Sequence, residues 1–311
     1  MMNDILQEMR CSSPPRSEEM HPLTEKIRFA LFTEVEKMSR ISGVGMDEYP
    51  AKVIMTEADE YLRKIAELLN SNGIYPWTGV VTDENAERRM PDKAVTRVGF
   101  FPVTANPFHW AHLLVGLKAV AEHSLDRMIF VIAWDDSRKP DMGQASVRHM
   151  VAREVLSIFS PLFKYSGIAR GTGHDGETNL FRLLSLNQDR KIEAFYIAGA
   201  DHCRRVDPRD GSADTIQKIE DNCMRRLYGF DPGRHSVTPL FVSRGGCIVK
   251  ESTYLEPLMM NGTGFDASST MIREALAGNG PASNLILMPY TAFYYSRHLG
   301  LYDMIGTPIQ K

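Results

Sequence analysis

The sequence predicts an α/β fold: a doubly wound parallel sheet covered by helices on both faces. Three observations predict it. From about residue 93 onward, short apolar runs alternate with amphipathic segments. The runs are apolar almost throughout, the pattern of strands buried on both faces rather than on one. The first of them, Val98 to Ala105, leads directly through Asn106-Pro107 into a helical pattern over Leu113–His123, a strand-to-helix passage of the kind that builds βαβ units.

Taken in order, residues 1 to about 22 are polar and Ser/Pro-rich, without apolar periodicity. Thr24 to Ile41 then places Ile27, Ala30, Leu31, Val35 and Met38 on one helical face, and Thr56 to Leu69 does the same with Ala58, Leu62, Ile65, Ala66 and Leu69. Asn72-Gly73 suits the end of that second helix. The charged stretch from Val81 to Lys93 reads as a linker or exposed turn, so a boundary is expected near 92. It separates an N-terminal helical extension (1–92) from the main domain (93–311). Strands are expected at Arg97–Thr104, Met128–Trp134, Ala194–Ala198 and Pro239–Ser243, with weaker runs at Thr253–Leu258 and Leu285–Met288. Helices are expected at Phe108–His123, Ser146–Phe159, Asn179–Leu186, Ala213–Leu227, Ser269–Ala277 and Thr291–Leu299. In such sheets ligands sit beyond the carboxyl ends of the strands.

Composition narrows the function. A net charge of −3 argues against a broad nucleic-acid surface. No run of eighteen apolar residues suggests a membrane span, and the polar N-terminus lacks a signal-peptide core. Four cysteines (Cys11, Cys203, Cys223, Cys247) are scattered without a CxxC pair. They read as reduced thiols of a cytoplasmic protein, and His202-Cys203 with Cys223 is poorly spaced for zinc.

The chemistry concentrates in Asn106-Pro107-Phe108-His109-Trp110-Ala111-His112. Asn106 suits an N-cap and Pro107 a first helical position. His109 and His112 then share one face of the first turns, where free N–H groups and the helix dipole favour an anion. A second segment, Ala267-Ser268-Ser269-Thr270-Met271-Ile272-Arg273, repeats the logic. Ser268 or Ser269 caps a helix, and Arg273 projects about one turn in, its planar fork suited to phosphate. Read alone, it is a capped helix with a surface arginine; read with the histidine pair, it is the other half of a phosphate grip.

NPFHWAH resembles the HxGH signature of the nucleotidyltransferase superfamily, and ASSTMIR resembles its downstream ISSTxxR signature. Within the superfamily the likeness is nearest to nicotinate/nicotinamide mononucleotide adenylyltransferases. Arg138-Lys139-Pro140 with Ser146-Val147-Arg148-His149-Met150 is similar to that family's basic loop and following helix. Glu177-Thr178-Asn179-Leu180 is similar to its helix start, and Phe195 to Asp201 to its strand-end GxD. Pro289-Tyr290 through Leu299-Gly300-Leu301-Tyr302 is similar to its closing helix. The resemblance spans roughly residues 95 to 304 and implies a Rossmann-like three-layer α/β/α fold.

It also implies a reaction: a mononucleotide phosphate attacks the α-phosphorus of ATP, pyrophosphate leaves and a dinucleotide forms. The resemblance gives His109, His112 and Arg273 the central roles. Thr104 and Asn106 shape the adjoining loop, and Ser269 and Thr270 hold the β and γ phosphates with help from Arg138 or Lys139. Gly199 and Asp201 lie near the nucleotide, and Asp201 is open between a ribose contact and a cap. Trp134 and Thr178 are placed toward the pyridine nucleotide, with Trp134 equally suited to the core. Mg2+ is expected on the triphosphate rather than in a protein cage. ATP and a mononucleotide are the expected partners, nucleic acid and membrane are not, and a homo-oligomer is left open.

Two features depart from the family pattern. Ala111 stands where glycine is usual between the histidines, and Val103-Thr104-Ala105 replaces a glycine-containing turn. Other acceptors (phosphopantetheine, flavin mononucleotide, a phospho-alcohol) and a nucleotide-binding regulator without turnover are the alternatives. Gly171-Thr172-Gly173-His174-Asp175-Gly176 matches a dinucleotide GxGxxG, but the segment before it is a poor central strand. Lys37-Met38-Ser39-Arg40 is similar to a synthetase KMSKS loop but precedes the histidine motif and lies within a helical pattern. No P-loop is present. The sequence does not separate nicotinate from nicotinamide.

Overall fold

In the computed structural model, residues 20–83, 94–135, 142–203, 214–243 and 254–302 are described. The centre is one six-stranded, all-parallel sheet in the order β3-β2-β1-β4-β5-β6, built from β1 (Thr96–Val103), β2 (Arg127–Ile132), β3 (Phe163–Ser166), β4 (Ile192–Gly199), β5 (His235–Ser243) and β6 (Leu258–Asn261). All five pairings are parallel. The chain winds outward from β1 in one direction and then from β4 in the other. The order therefore reverses between β1 and β4, and a crevice opens beyond their carboxyl ends.

Eight α-helices accompany the sheet among the described residues: α1 (Pro22–Ser42), α2 (Ala51–Asn70), α3 (Trp110–His123), α4 (Ala145–Ser157), α5 (Gly176–Ser185), α6 (Thr215–Met224), α7 (Ser269–Leu276) and α8 (Tyr290–His298). Alternate strand residues feed two cores, as the two-residue period of a strand requires. Phe101, Val103, Phe130 and Ile132 join α3, α4, α7 and α8 on one face. Val98, Phe100, Ile129 and Val131 join α5 and α6 on the other. The result is three layers, with the predicted strands and helices near their predicted places.

The N-terminal helices α1 and α2 form a hairpin whose apolar faces enter the first of those cores. Arg28 ties the two helices to each other, its Nε 2.7 Å and Nη2 3.0 Å from the two carboxylate oxygens of Asp59. Lys37 to Arg40 is interior to α1, with Met38 fully buried. The chain then returns along the sheet. Val81 N–H donates to Asn187 Oδ1 at 2.8 Å, and Tyr75 N–H to Asp126 Oδ1 at 2.7 Å. Val81 and Thr82 are thus buried rather than part of an exposed linker, because their backbone groups have fixed partners. Residues 84–93 lie outside the described part.

Several expectations are corrected. Leu285–Met288 is not a strand: Ala282–Leu287 is a 3₁₀ helix whose Leu285, Ile286 and Leu287 are buried. A short apolar run carries no period long enough to tell the two apart. The weak strand at Thr253–Leu258 is displaced to Leu258–Asn261. The strand β3 was not expected; it is four residues long, sits at the sheet edge and is buried at only Phe163 and Ser166. The second helix begins at Ala51, one turn or more before Thr56.

Candidate active site

The histidine helix starts later than its motif suggests. Asn106 is not the N-cap and Pro107 is not helical: α3 begins at Trp110. His109 takes the N-cap position, extended at φ −142 and ψ 166. Its ring stacks on that of His112, centroids 3.7 Å apart at 23°. The His109 N–H donates to His112 Nδ1 at 3.4 Å. Trp110 is fully buried, so it anchors the first turn while His112 stays half-exposed at the mouth. Ala111, the residue in place of glycine, lies against the same core.

The turn before the helix explains the other departure. Ala105 is buried with φ +51, a left-handed conformation that glycine adopts without cost and alanine does not. That is the physical reason a glycine-containing turn suits this place.

The two motifs meet. Arg273 Nη1 donates to the carbonyl oxygen of Asn106 at 2.7 Å, and its Nη2 approaches Thr270 Oγ1 at 3.2 Å. Ser269 Oγ donates to the carbonyl of Pro107 at 3.3 Å. Ser268 is the N-cap of α7, its hydroxyl accepting from Met271 N–H at 3.2 Å, which resolves the choice between the two serines. The amino ends of α3 and α7 therefore abut, though 162 residues separate Pro107 from Ser269.

Asn106 holds two further pieces. Its Oδ1 accepts from Gly143 N–H at 3.0 Å and from the Tyr302 hydroxyl at 3.1 Å. A Cβ at position 143 would stand 2.6 Å from Leu301 Cδ1, so any side chain there would have to displace the leucine. Burial pushes the Tyr302 phenol well above its ordinary pKa, keeping the hydroxyl a donor.

Sequence reasoning did not assign a role to Arg148. It is fully buried, and its guanidinium donates to four backbone carbonyls: Gly143 (2.8 Å), Thr104 (2.6 Å), Ala133 (2.9 Å) and Trp134 (2.8 Å). It thereby joins the carboxyl ends of β1 and β2 to the loop entering α4. Burial draws its pKa down, and the four carbonyl dipoles supply the counter-charge. The signal was present, since Arg148 stood in a quoted match, but nothing in a sequence marks an arginine as buried.

The remaining predicted residues fall as follows. Thr104 follows β1, with its carbonyl on Arg148. Trp134 lies just past β2, its ring 5.2 Å from that of the fully buried His149. His149 Nδ1 contacts the Tyr165 hydroxyl at 2.7 Å, and burial with the charges of Arg170 and Arg148 pulls its pKa down to about 3. Thr178 is in the first turn of α5, where its N–H donates to Asp175 Oδ1 at 2.8 Å. The GTGHDG segment supplies that cap, and only the short edge strand β3 precedes it. Gly199 ends β4, and Asp201 lies in the 3₁₀ turn Ala200–Cys203, its side chain outside the described part. Arg138 and Lys139 lie outside the described residues. No group of three or more His, Cys, Asp or Glu capable of caging a metal occurs among the described residues. No described helix is long and apolar enough to cross a membrane.

Comparison with known proteins agrees with this layout. No family model matches the chain. A probable nicotinate-nucleotide adenylyltransferase of Gloeobacter violaceus is 28% identical over 211 residues, covering 67% of this chain and 97% of the relative. One of Trichlorobacter lovleyi is 27% identical (58% and 88%), and one of Clostridium botulinum is 24% identical (58% and 86%). The chain is thus similar, at 24–28% identity, to curated nicotinate-nucleotide adenylyltransferases over most of their length. Among solved structures, Plasmodium falciparum nicotinic acid mononucleotide adenylyltransferase complexed with NaAD superimposes with a TM-score of 0.51 at 15% identity, covering 68% of this chain and 98% of that one. That likeness shows a shared Rossmann-like fold, here accompanied by α1 and α2.

Proposed function

We propose that the protein is an adenylyltransferase that joins the AMP moiety of ATP to nicotinate or nicotinamide mononucleotide, forming a pyridine dinucleotide. The observation that carries the proposal is the junction of the two signature helices, Arg273 on the Asn106 carbonyl and Ser269 on that of Pro107. Two helix amino ends, two imidazoles and a guanidinium in one place are suited to a triphosphate. The relatives' names give the acceptor class.

In this reading an oxygen of the acceptor phosphate attacks the α-phosphorus. A new P–O bond forms there, and the bond to the oxygen bridging toward the β-phosphorus breaks, releasing pyrophosphate. The attacking group is already anionic, so no protein nucleophile is needed. Catalysis is positioning and stabilisation of charge. His109 and His112 face the phosphates at the start of α3. Ser269, Thr270 and Arg273 hold the β and γ phosphates, joined by Arg138 or Lys139. Thr104 and Asn106 shape the turn, and Gly199 and Asp201 border the nucleotide. Trp134 and Thr178 serve the acceptor. Mg2+ enters as part of the ATP substrate. We place the reaction in the cytoplasm, where ATP is supplied, with no nucleic acid or membrane as partner.

The test is pyrophosphate release from ATP with each acceptor in turn. Release with nicotinate or nicotinamide mononucleotide supports the proposal. Release only with phosphopantetheine or flavin mononucleotide, or ATP binding without release from any acceptor, overturns it.

A further inference from the structure

The N-terminal hairpin lies outside the stretch that resembles the superfamily, and the proposed reaction uses none of its side chains. It nevertheless touches both halves of the phosphate grip. On one side α2 packs along α3, the helix that carries His109 and His112. On the other, α1 packs on the 3₁₀ turn Ala282–Leu287, which in turn packs on α7, the helix that carries Arg273.

Two carboxylates on the hairpin fasten backbone on the α7 side. Glu57 Oε1 accepts the N–H of Gly264, in the loop that enters α7 four residues before its Ser268 cap. The approach is close enough that a Cβ at Gly264 would stand 2.6 Å from Glu57 Oε1. Glu57 Oε2 is buried and has no hydrogen-bond partner among the described residues, so the Gly264 N–H is the hydrogen bond that this carboxylate makes there. Glu34, itself buried, accepts from Thr291 N–H at 2.6 Å and Thr291 Oγ1 at 2.9 Å, capping α8, whose own N-cap, Pro289, has no side-chain acceptor. The Arg28–Asp59 pair makes the two helices act as one body.

We propose that the hairpin is a brace that fixes the amino end of α7 relative to that of α3, with Glu57 as the positioning residue that sets the 264–268 loop. Its role in binding a triphosphate rests on the proposed function. Two helix ends can share one polyphosphate only if their separation is held to a fraction of an ångström. The Ser269 and Arg273 contacts to the 106–107 turn hold them from one side only. The hairpin holds them from behind.

The experiment compares the full chain with Glu57→Ala and with Glu57→Gln, which keeps an acceptor oxygen. In the ligand-free protein, amide hydrogen exchange over 264–272 is expected to rise by about tenfold in Glu57→Ala and to stay near wild type in Glu57→Gln, with β1 unchanged in both. Calorimetric Kd and steady-state KM for ATP are expected to rise by about tenfold in Glu57→Ala, with kcat and the acceptor KM within about twofold, and Glu57→Gln is expected to restore them. Unchanged exchange and unchanged ATP affinity in a folded Glu57→Ala overturn the brace. So does an equal loss for both substrates, or a glutamine variant no better than alanine. If Glu57→Ala fails to fold, Glu57→Asp, one methylene shorter, is read in the same assays. A wild-type chain that does not bind ATP overturns the proposed function instead, and the exchange arm then decides the brace alone.

Discussion

Replacing Arg148 with methionine isolates the most heavily bonded side chain near the site. The stem is kept and all five N–H donors are lost. Four carbonyls, at Thr104, Ala133, Trp134 and Gly143, lose a donor that stood 2.6–2.9 Å away. An acceptor stranded in a buried place costs about 1 kcal/mol at the lower end of the usual range, so the gross loss is about 4 kcal/mol. Methionine avoids desolvating a charge and buries apolar surface, which returns part of it, leaving a net loss of about 2–4 kcal/mol. Equilibrium urea unfolding reads this directly: with m near 3 kcal/mol/M for a chain of this size, the midpoint should fall by about 1 M. Arg148→Lys keeps three donors without the planar fork and should fall between the two. A methionine variant whose midpoint stays within about 0.2 M of wild type would refute the reasoning, because four buried carbonyls cannot lose their donor so cheaply unless water already serves them.

Other substitutions probe the grip, the brace and the buried titratable groups. His112→Ala should keep the fold, by circular dichroism, and lower turnover by about two to three orders of magnitude, the usual worth of one preorganised donor; near-normal turnover removes its assigned role. Arg273→Ala should weaken ATP more than the acceptor in calorimetry, and the opposite order would mean the triphosphate is misplaced. Burial raises the Glu34 pKa, so its charge is held at a cost; Glu34→Gln, which keeps an acceptor for Thr291 N–H, should unfold near the wild-type temperature, whereas Glu34→Ala should lose about 1–3 kcal/mol. His149 is held neutral in the fold, with its pKa down at about 3, while the unfolded chain titrates near the ordinary value of about 6.5. Its contribution to stability is therefore full above that ordinary value and is lost as pH falls toward 3, at up to about 1.4 kcal/mol per pH unit. His149→Gln should flatten the loss between pH 6.5 and 5 in urea titrations, and identical slopes would discount it.

What the sequence made legible follows from what periodicity can carry. The strands β1, β2, β4 and β5 are apolar along most of their length, and their helices have wide apolar faces, so fold class and element order were readable. The strand β3 was not, because an edge strand of four residues with two buried positions has almost no pattern. Leu285 to Met288 failed for the converse reason: it is apolar because it is buried beneath α7, not because it is extended. At the site, the two motifs were visible as residue types, but the cap was misplaced by three residues. Asn-Pro is a good helix start by side-chain chemistry, but His109 occupies the N-cap, a residue type that cap preferences do not point to. Arg148, Tyr302 and the hairpin glutamates were beyond reach for a shared reason. Each acts on a segment distant in the chain, and Arg148 and the glutamates do so mainly through backbone carbonyl or N–H groups, which have no residue identity to read.

That reason also says how the site is built. Asn106 is gripped through its carbonyl by Arg273 and through its side-chain oxygen by Gly143 and Tyr302, while Arg148 holds the Gly143 and Thr104 carbonyls on either side. Three segments remote in sequence, around 143–148, 273 and 302, converge on one turn, and most of the links involve main chain. Losing one of these donors strands an acceptor in a buried place. The arrangement thus separates the residues that the proposed function assigns to the phosphates, His109, His112 and Arg273, from residues that only hold the turn. Arg273 alone stands in both sets: the guanidinium assigned to the triphosphate is already bonded at 2.7 Å to the turn that carries the histidines. Under the proposed function, a phosphate held by Arg273 would lie beside the turn that leads into α3 with that bond already made, the preorganisation that a reaction lacking a protein nucleophile requires.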